Sequence, residues 1–194
     1  MDEFLKLEYE RCLDLLKHYD ERQVALARFA TGLSAAVAGL IFGVHDLRED
    51  VAASFWGFAS LFAGTASLGL AVIFLSMIQN RLYFVFPARQ ANSIRAFMLK
   101  ELEGRHFENQ MYLSTTFSAF NFRSVHSMIN LFVCLQVGAA LSLFVYAAGR
   151  QGGAPCWWFW TTTVLGVAAS AVLFISSGIY LKAQSLKAAD RAIH

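Results

Sequence analysis

Asn130 and Gln136 are the notable polar side chains inside four long uncharged runs, and Gln136 is the deeper of the two. In an apolar surrounding an amide has two uses. It can hydrogen-bond a neighbouring helix, or it can line a water-filled path in an oligomer. Both readings fit this pair. Ion-coupled transport fits poorly, because no acidic side chain and no broken helix is expected near the middle of a run. A second set of candidates lies between two of the runs, in RQANSIRAFMLKELEGRH, Arg89 to His106. Arg89, Asn92, Arg95, Lys100 and Arg105 are suited to coupling with a soluble protein partner. HExxH, paired CxxC, GxSxG and Walker patterns are all missing, and the five histidines are scattered. The expectation is therefore a non-enzymatic protein with no metal and no cofactor.

These side chains sit in a chain of 194 residues that is 57% hydrophobic and only 15% charged. A soluble domain of this size carries about 25% charged residues. The uncharged runs are Phe29–Val44, Val51–Asn80, Ser127–Gly149 and Gln151–Leu181. About 20 apolar residues cross a bilayer core at 1.5 Å each. The first run reaches that length from near Val24, with Arg28 snorkelling to the interface. A soluble helical core would show polar stripes, and these runs do not. The expected fold is an all-α integral membrane protein, with four transmembrane helices in two hairpins and helical extensions into the cytosol.

Orientation follows from the loops. Fourteen Lys and Arg fall on one side of the four spans, and only Arg48 and Arg150 on the other. The excess of cations marks the cytosolic side, so both termini and the middle segment are expected there. Trp56, Trp157, Trp158 and Trp160 fall at the opposite ends of spans two and four, where indole favours the headgroup region. Cys12, Cys134 and Cys156 would lie at three different depths, so no disulfide within one chain is expected. The net charge of +2 reflects cations gathered on one side and makes nucleic acid an unexpected partner. No cleavable signal peptide is expected, since the first apolar run begins after a long charged segment.

The chain divides into residues 1–23, a cytosolic helix; 24–80, the first hairpin; 81–126, a cytosolic helical segment; 127–181, the second hairpin; and 182–194, a cytosolic tail. Leu5, Tyr9, Cys12, Leu16, Tyr19, Gln23, Leu26, Ala30 and Leu33 alternate in steps of four and three. That is a heptad-like seam on one long helix that runs from the cytosol into the first span and packs on a neighbour. An amphipathic helix lying on the headgroups is the alternative. Span two is longer than a bilayer needs, and Pro87 should break or kink it. Gly104 should end the charged helix, and Glu108 to Ser124 reads as an irregular connector. Small residues four apart, such as Ala35, Gly39 and Gly43 or Gly138 and Ser142, allow close helix approach and suit a homo-oligomer.

Two resemblances add to this reading. Arg11 and His18 in RCLDLLKH fit the Arg-x(4–6)-His pattern of HEPN nucleases, whose two side chains share an RNA-cleaving pocket; seven positions apart, they share one helix face. The polar residue that usually follows the arginine is Cys12 here. The segment RLYFVFPARQANSIRAFML, with Gln90, Asn92, Ile94, Arg95 and Phe97, resembles a pattern in uncharacterised small bacterial four-span membrane proteins. The whole plan resembles membrane effectors and accessories of antiphage systems, including CRISPR-associated ones. That resemblance implies an oligomeric inner-membrane protein that forms or regulates a pore when a cytosolic partner signals. A membrane-anchored scaffold for a soluble partner is the alternative, and a membrane-bound enzyme acting on RNA or lipid comes third.

Overall fold

The computed structural model describes residues 3–45, 52–101 and 113–191. Among them there are four α-helices and no strand: α1 Glu3–His45, α2 Ala52–Glu101, α3 Val125–Gln151 and α4 Trp158–Arg191. Each is long and apolar enough to cross a membrane.

α1 is continuous across the boundary at Gln23, and its heptad seam is the face it buries. Cys12, Gln23 and Ala30 are buried, while Leu5, Tyr9, Leu16, Tyr19, Leu26 and Leu33 are half-buried. The neighbour that covers this seam is α2 of the same chain. Tyr19 stacks on Tyr83 with ring centroids 6.4 Å apart, and a Cβ built on Gly69 would stand 3.2 Å from Leu33. The seam is thus satisfied within one copy.

α2 runs unbroken through Pro87, so the expected break does not occur. Proline removes one backbone bond, the one to the carbonyl of Tyr83. Val85, Ala88, Arg89, Ala91 and Asn92 are all buried around it, and that packing holds the helix through the gap. The charged stretch from Arg89 is consequently the end of α2 as far as Glu101. Gly104, Arg105 and His106 lie outside the described residues.

Residues 113–124 form an irregular strap that returns to the bundle, and its Phe117, Ala119 and Phe120 pack into the core. Ser124 then caps α3, its side chain accepting from the Ser127 N–H at 3.2 Å. α3 meets α4 where both backbones are bare. A Cβ on Gly138 would overlap the Gly166 carbonyl and Ser170 Oγ, and one on Gly166 would come within 2.8 Å of Ser142 Cβ. The turn between them needs Gly153, whose φ of 86° favours a residue without a Cβ. α4 stays helical through Leu181 to Arg191.

Two unlike ends result. At one end Trp56, Tyr146 and Phe159 stack edge to face, and Arg150 lies 5.5 Å over the Trp56 ring. At the other, α1 and α2 extend together beyond an arginine-rich polar layer. Leu70, Phe74, Met77, Val133, Val137 and Phe174 form the apolar core between the two ends.

Candidate functional site

The polar layer starts with one residue from each of three helices, α1, α2 and α3. Gln23 on α1 is 1% exposed, in a seam position that would ordinarily be apolar. Its Nε2 donates to Asn130 Oδ1 on α3 at 2.8 Å, and its Oε1 accepts from Asn80 Nδ2 on α2 at 3.0 Å. Asn80 Nδ2 also donates to the Tyr19 carbonyl at 2.8 Å. A carbonyl only accepts, so that bond fixes the orientation of Asn80 and hence of the whole relay. Asn80 Oδ1 is left buried without a partner.

One turn towards the arginine-rich end, Asp20 of α1 meets His126 of α3. His126 Nε2 donates to Asp20 Oδ1 at 2.8 Å. Burial pushes the His126 pKa below its ordinary value, with help from the Arg81 charge, while the bond and charge of Asp20 oppose the shift. Arg81 itself is 8% exposed, lies 4.6 Å over the Phe84 ring and is pulled below its ordinary value by burial. Its Nε donates to the Ala119 carbonyl at 3.0 Å, and its Nη1 is buried without a partner.

Arg81 begins a lacing of α2 to the strap. Arg89 donates from Nε and Nη2 to the Phe117 carbonyl at 3.2 and 2.7 Å, and from Nη1 to the Ser185 carbonyl on α4 at 2.8 Å. Asn92 Nδ2 donates to the Ser114 carbonyl at 2.8 Å. Ser185 Oγ closes the circuit by accepting from the Ala119 N–H at 3.1 Å. The Ser114, Phe117 and Ala119 carbonyls belong to a folded-back segment without a regular backbone ladder, and leaving them unpaired is costly. Arg95 turns to α1, donating from Nε to Tyr9 Oη at 2.8 Å and from Nη1 to Asn92 Oδ1 at 3.3 Å. Gln90 reaches Glu8 at 3.0 Å, and Lys100 is exposed.

Arg89, Asn92 and Arg95 are thus brought together, but they point into the fold. Arg105 lies outside the described residues. Asn130 belongs to the three-helix relay. Gln136 is spent on α1 at both ends of its amide: Oε1 accepts from Ser34 Oγ and Nε2 donates to Thr31 Oγ1, each at 3.2 Å. Beside it lies a cavity of 190 Å³ between α1, α2 and α3, walled mainly by small apolar side chains such as Ala63, Ala66 and Ala140.

Arg11 and His18 lie on the exposed side of α1. Arg11 is 3.9 Å from Glu8, and the His18 ring sits against Tyr19 at 5.7 Å. Cys12 is turned into the seam, where burial and Glu8 raise its thiol pKa. Among the described residues no group of His, Cys, Asp and Glu could hold a metal ion.

Asp20, Asn80, Arg81 and His126 were not read as a joint from the sequence. A glutamine in a heptad seam was the available signal, since a polar group there needs partners from the helices it faces. Comparison with known proteins returns no matching family model, no matching curated protein and no matching solved structure.

Proposed function

We propose that the chain is a four-span protein of a bacterial inner membrane, arranged as two hairpins with both termini in the cytosol. It acts without catalysis as a scaffold or regulator for a soluble partner. Insertion is supported by the apolar side chains left outside the bundle: Phe42 is 73% exposed, Leu68 72% and Val164 68%. So much apolar surface is untenable in water. Orientation is supported by the cation excess at the arginine-rich end and by the tryptophans at the other.

The observation that carries the scaffold reading is the fate of Gln136 and Asn130. Asn130 accepts from α1 and Gln136 bonds it at both ends, which is what helix anchoring needs and a conducting path does not. Beyond the polar layer, α1 and α2 brace one another for roughly 30 Å of helix. They leave Phe86, Gln90, Ser93, Phe97 and Lys100 exposed on α2 in steps of four and three. Such a face suits a helical partner in the cytosol. The test uses the product of a neighbouring gene as the partner. Phe97→Asp should abolish its co-purification while Gln136→Leu leaves it intact. Retention by Phe97→Asp would remove this face as the platform.

Orientation has its own test. Cys156, exposed in the turn before α4, should react with an impermeant thiol reagent from outside intact cells, and Cys12 should not. Labelling of Cys12 in place of Cys156 inverts the arrangement.

A pore-forming or membrane-perturbing oligomer, as in antiphage defence, is the second reading. One feature favours it: Gly39 and Gly43 on α1 face open space, which leaves room for another copy. The assembly mass in nanodiscs, measured beside dye leakage from cells, decides between the two. A single-copy mass eliminates the pore, because the spans of one copy present no polar face to water.

A further inference from the structure

α2 and α4 run side by side towards the arginine-rich end and leave a cleft of 570 Å³ between them. Its chemistry is graded along the helix axes. Phe74, Leu75, Ile78 and Leu173 line it nearer the middle of the bundle, and Gln79, Tyr83 and Tyr180, with Leu82 between them, line it nearer the end. Asn80 and Arg81 place that second group at the boundary of the uncharged run. On another face of α4, Phe120 of the strap packs so tightly that a Cβ on Gly178 would lie 2.9 Å from its ring, which holds α4 in place beside the cleft.

Hydrogen-bonding capacity in the polar part is only partly spent. Ser176 and Ser177 donate to carbonyls of their own helix, at 3.1 and 2.8 Å. Gln79 Nε2 donates to Tyr83 Oη at 3.3 Å, which leaves the Tyr83 hydroxyl proton free. The hydroxyl of Tyr180, a residue 48% exposed, has no partner among the described residues. No Lys or Arg lines the cleft.

We infer that this cleft is a binding site for one membrane glycerophospholipid. An acyl chain occupies the apolar part, and the glycerol ester carbonyls accept from Tyr83 and Tyr180. The occupant follows from the gradient. A fully apolar molecule leaves the hydroxyls unpaired, a polar solute cannot fill the inner part, and an amphiphile aligned with the helices does both. Because the wall lacks cations, recognition falls at the ester level and headgroup charge does not decide it. The inference rests on the membrane reading above and places the lipid in the cytosolic leaflet.

Native mass spectrometry of protein washed extensively in mild detergent tests it. The wild type should retain one phospholipid per chain, from phosphatidylethanolamine and phosphatidylglycerol to about the same degree. Ser176→Trp fills the cleft from an exposed position and should abolish retention. Tyr83→Phe combined with Tyr180→Phe keeps the shape and removes two hydrogen bonds, which should weaken retention about tenfold. Helix content and alkaline extraction of membranes check that each variant is folded and inserted. Equal retention by Ser176→Trp would mean bulk lipid only and overturn the inference, as would a strong preference for the anionic lipid or retention of a non-phospholipid. Protein that remains membrane-integrated yet retains nothing sinks the lipid site and leaves the membrane reading standing. Protein released by alkaline extraction sinks both.

Discussion

The joint of α1 with α2 and α3 and the joint of α3 with α4 solve one problem by opposite means. The first is tied by directional bonds from side-chain amides: Gln23 to Asn130, Asn80 to Gln23, and Gln136 to the Thr31 hydroxyl. The second brings two backbones together at Gly138 and Gly166, where Ser170 bonds only its own helix. Amide ties specify register, because each donor needs one acceptor at one height. Bare backbone specifies distance, because dispersion rewards close approach and rejects bulk. A bundle using both can tolerate loss of a tie better than intrusion at the glycine contact.

The largest effect should come from breaking the close contact. Gly166→Leu forces a side chain against the Gly138 carbonyl and Ser142, neither of which is a flexible chain end. It should cost about 3 kcal/mol or more, read by unfolding in mixed detergent–SDS micelles. A loss below ~1 kcal/mol would mean that the two helices separate freely. Next comes the lacing. Arg89→Ala strips three bonds from the Phe117 and Ser185 carbonyls and should cost about 2 kcal/mol, with faster proteolysis of residues 113–121 as a local readout. Asn80→Leu alone should cost ~1–2 kcal/mol, because it strands the Gln23 acceptor in an apolar site. Replacing Gln23, Asn80 and Asn130 together with leucine should recover much of that loss. Failure of the triple change to recover would show that the relay also sets helix register.

Gln136→Leu should cost roughly 1 kcal/mol or less. The smallest effect concerns pH. His126 is held below its ordinary value of 6.5, so the folded protein resists a proton that the unfolded chain accepts. Stability should therefore be full above about pH 7 and fall as pH drops through 6.5 towards the folded pKa, levelling off below it. His126→Gln should flatten that slope. An unchanged slope would assign the pH dependence to another group.

Much of this was legible in the residues. Charge-free runs, the first of them extended back across Arg28, announce the four helices, and the steps of four and three from Leu5 to Leu33 mark the buried face of α1. What a heptad cannot announce is its partner. The seam suited a second copy as well as α2, and only tertiary packing assigns it. The break expected at Pro87 fails for a related reason, since α2 is one helix through it. Its intrinsic cost is real, yet the buried residues around it outweigh one lost backbone bond. The lacing was hidden more deeply, since Arg81, Arg89 and Asn92 bond to carbonyls, which carry no sequence signature. Arg89 and Asn92 read as part of a coupling surface until the strap folds back over them.

Pro87 has a mechanical consequence. α2 is a rod of 50 residues, about 75 Å long, with a single missing rung. The rung is missing between the end of the uncharged run at Asn80 and the exposed Phe97. A sideways load on Phe97 meets the ties of Arg95 to Tyr9 and of Asn92 to Ser114 first, and Arg89, two residues from the missing rung, is the last fastening before it. A pull on the outer arm is thereby converted into tension on the strap and on α4 through the Phe117 and Ser185 carbonyls. The half of the rod before Pro87 is spared that load, which the fastened stretch beyond the proline takes up.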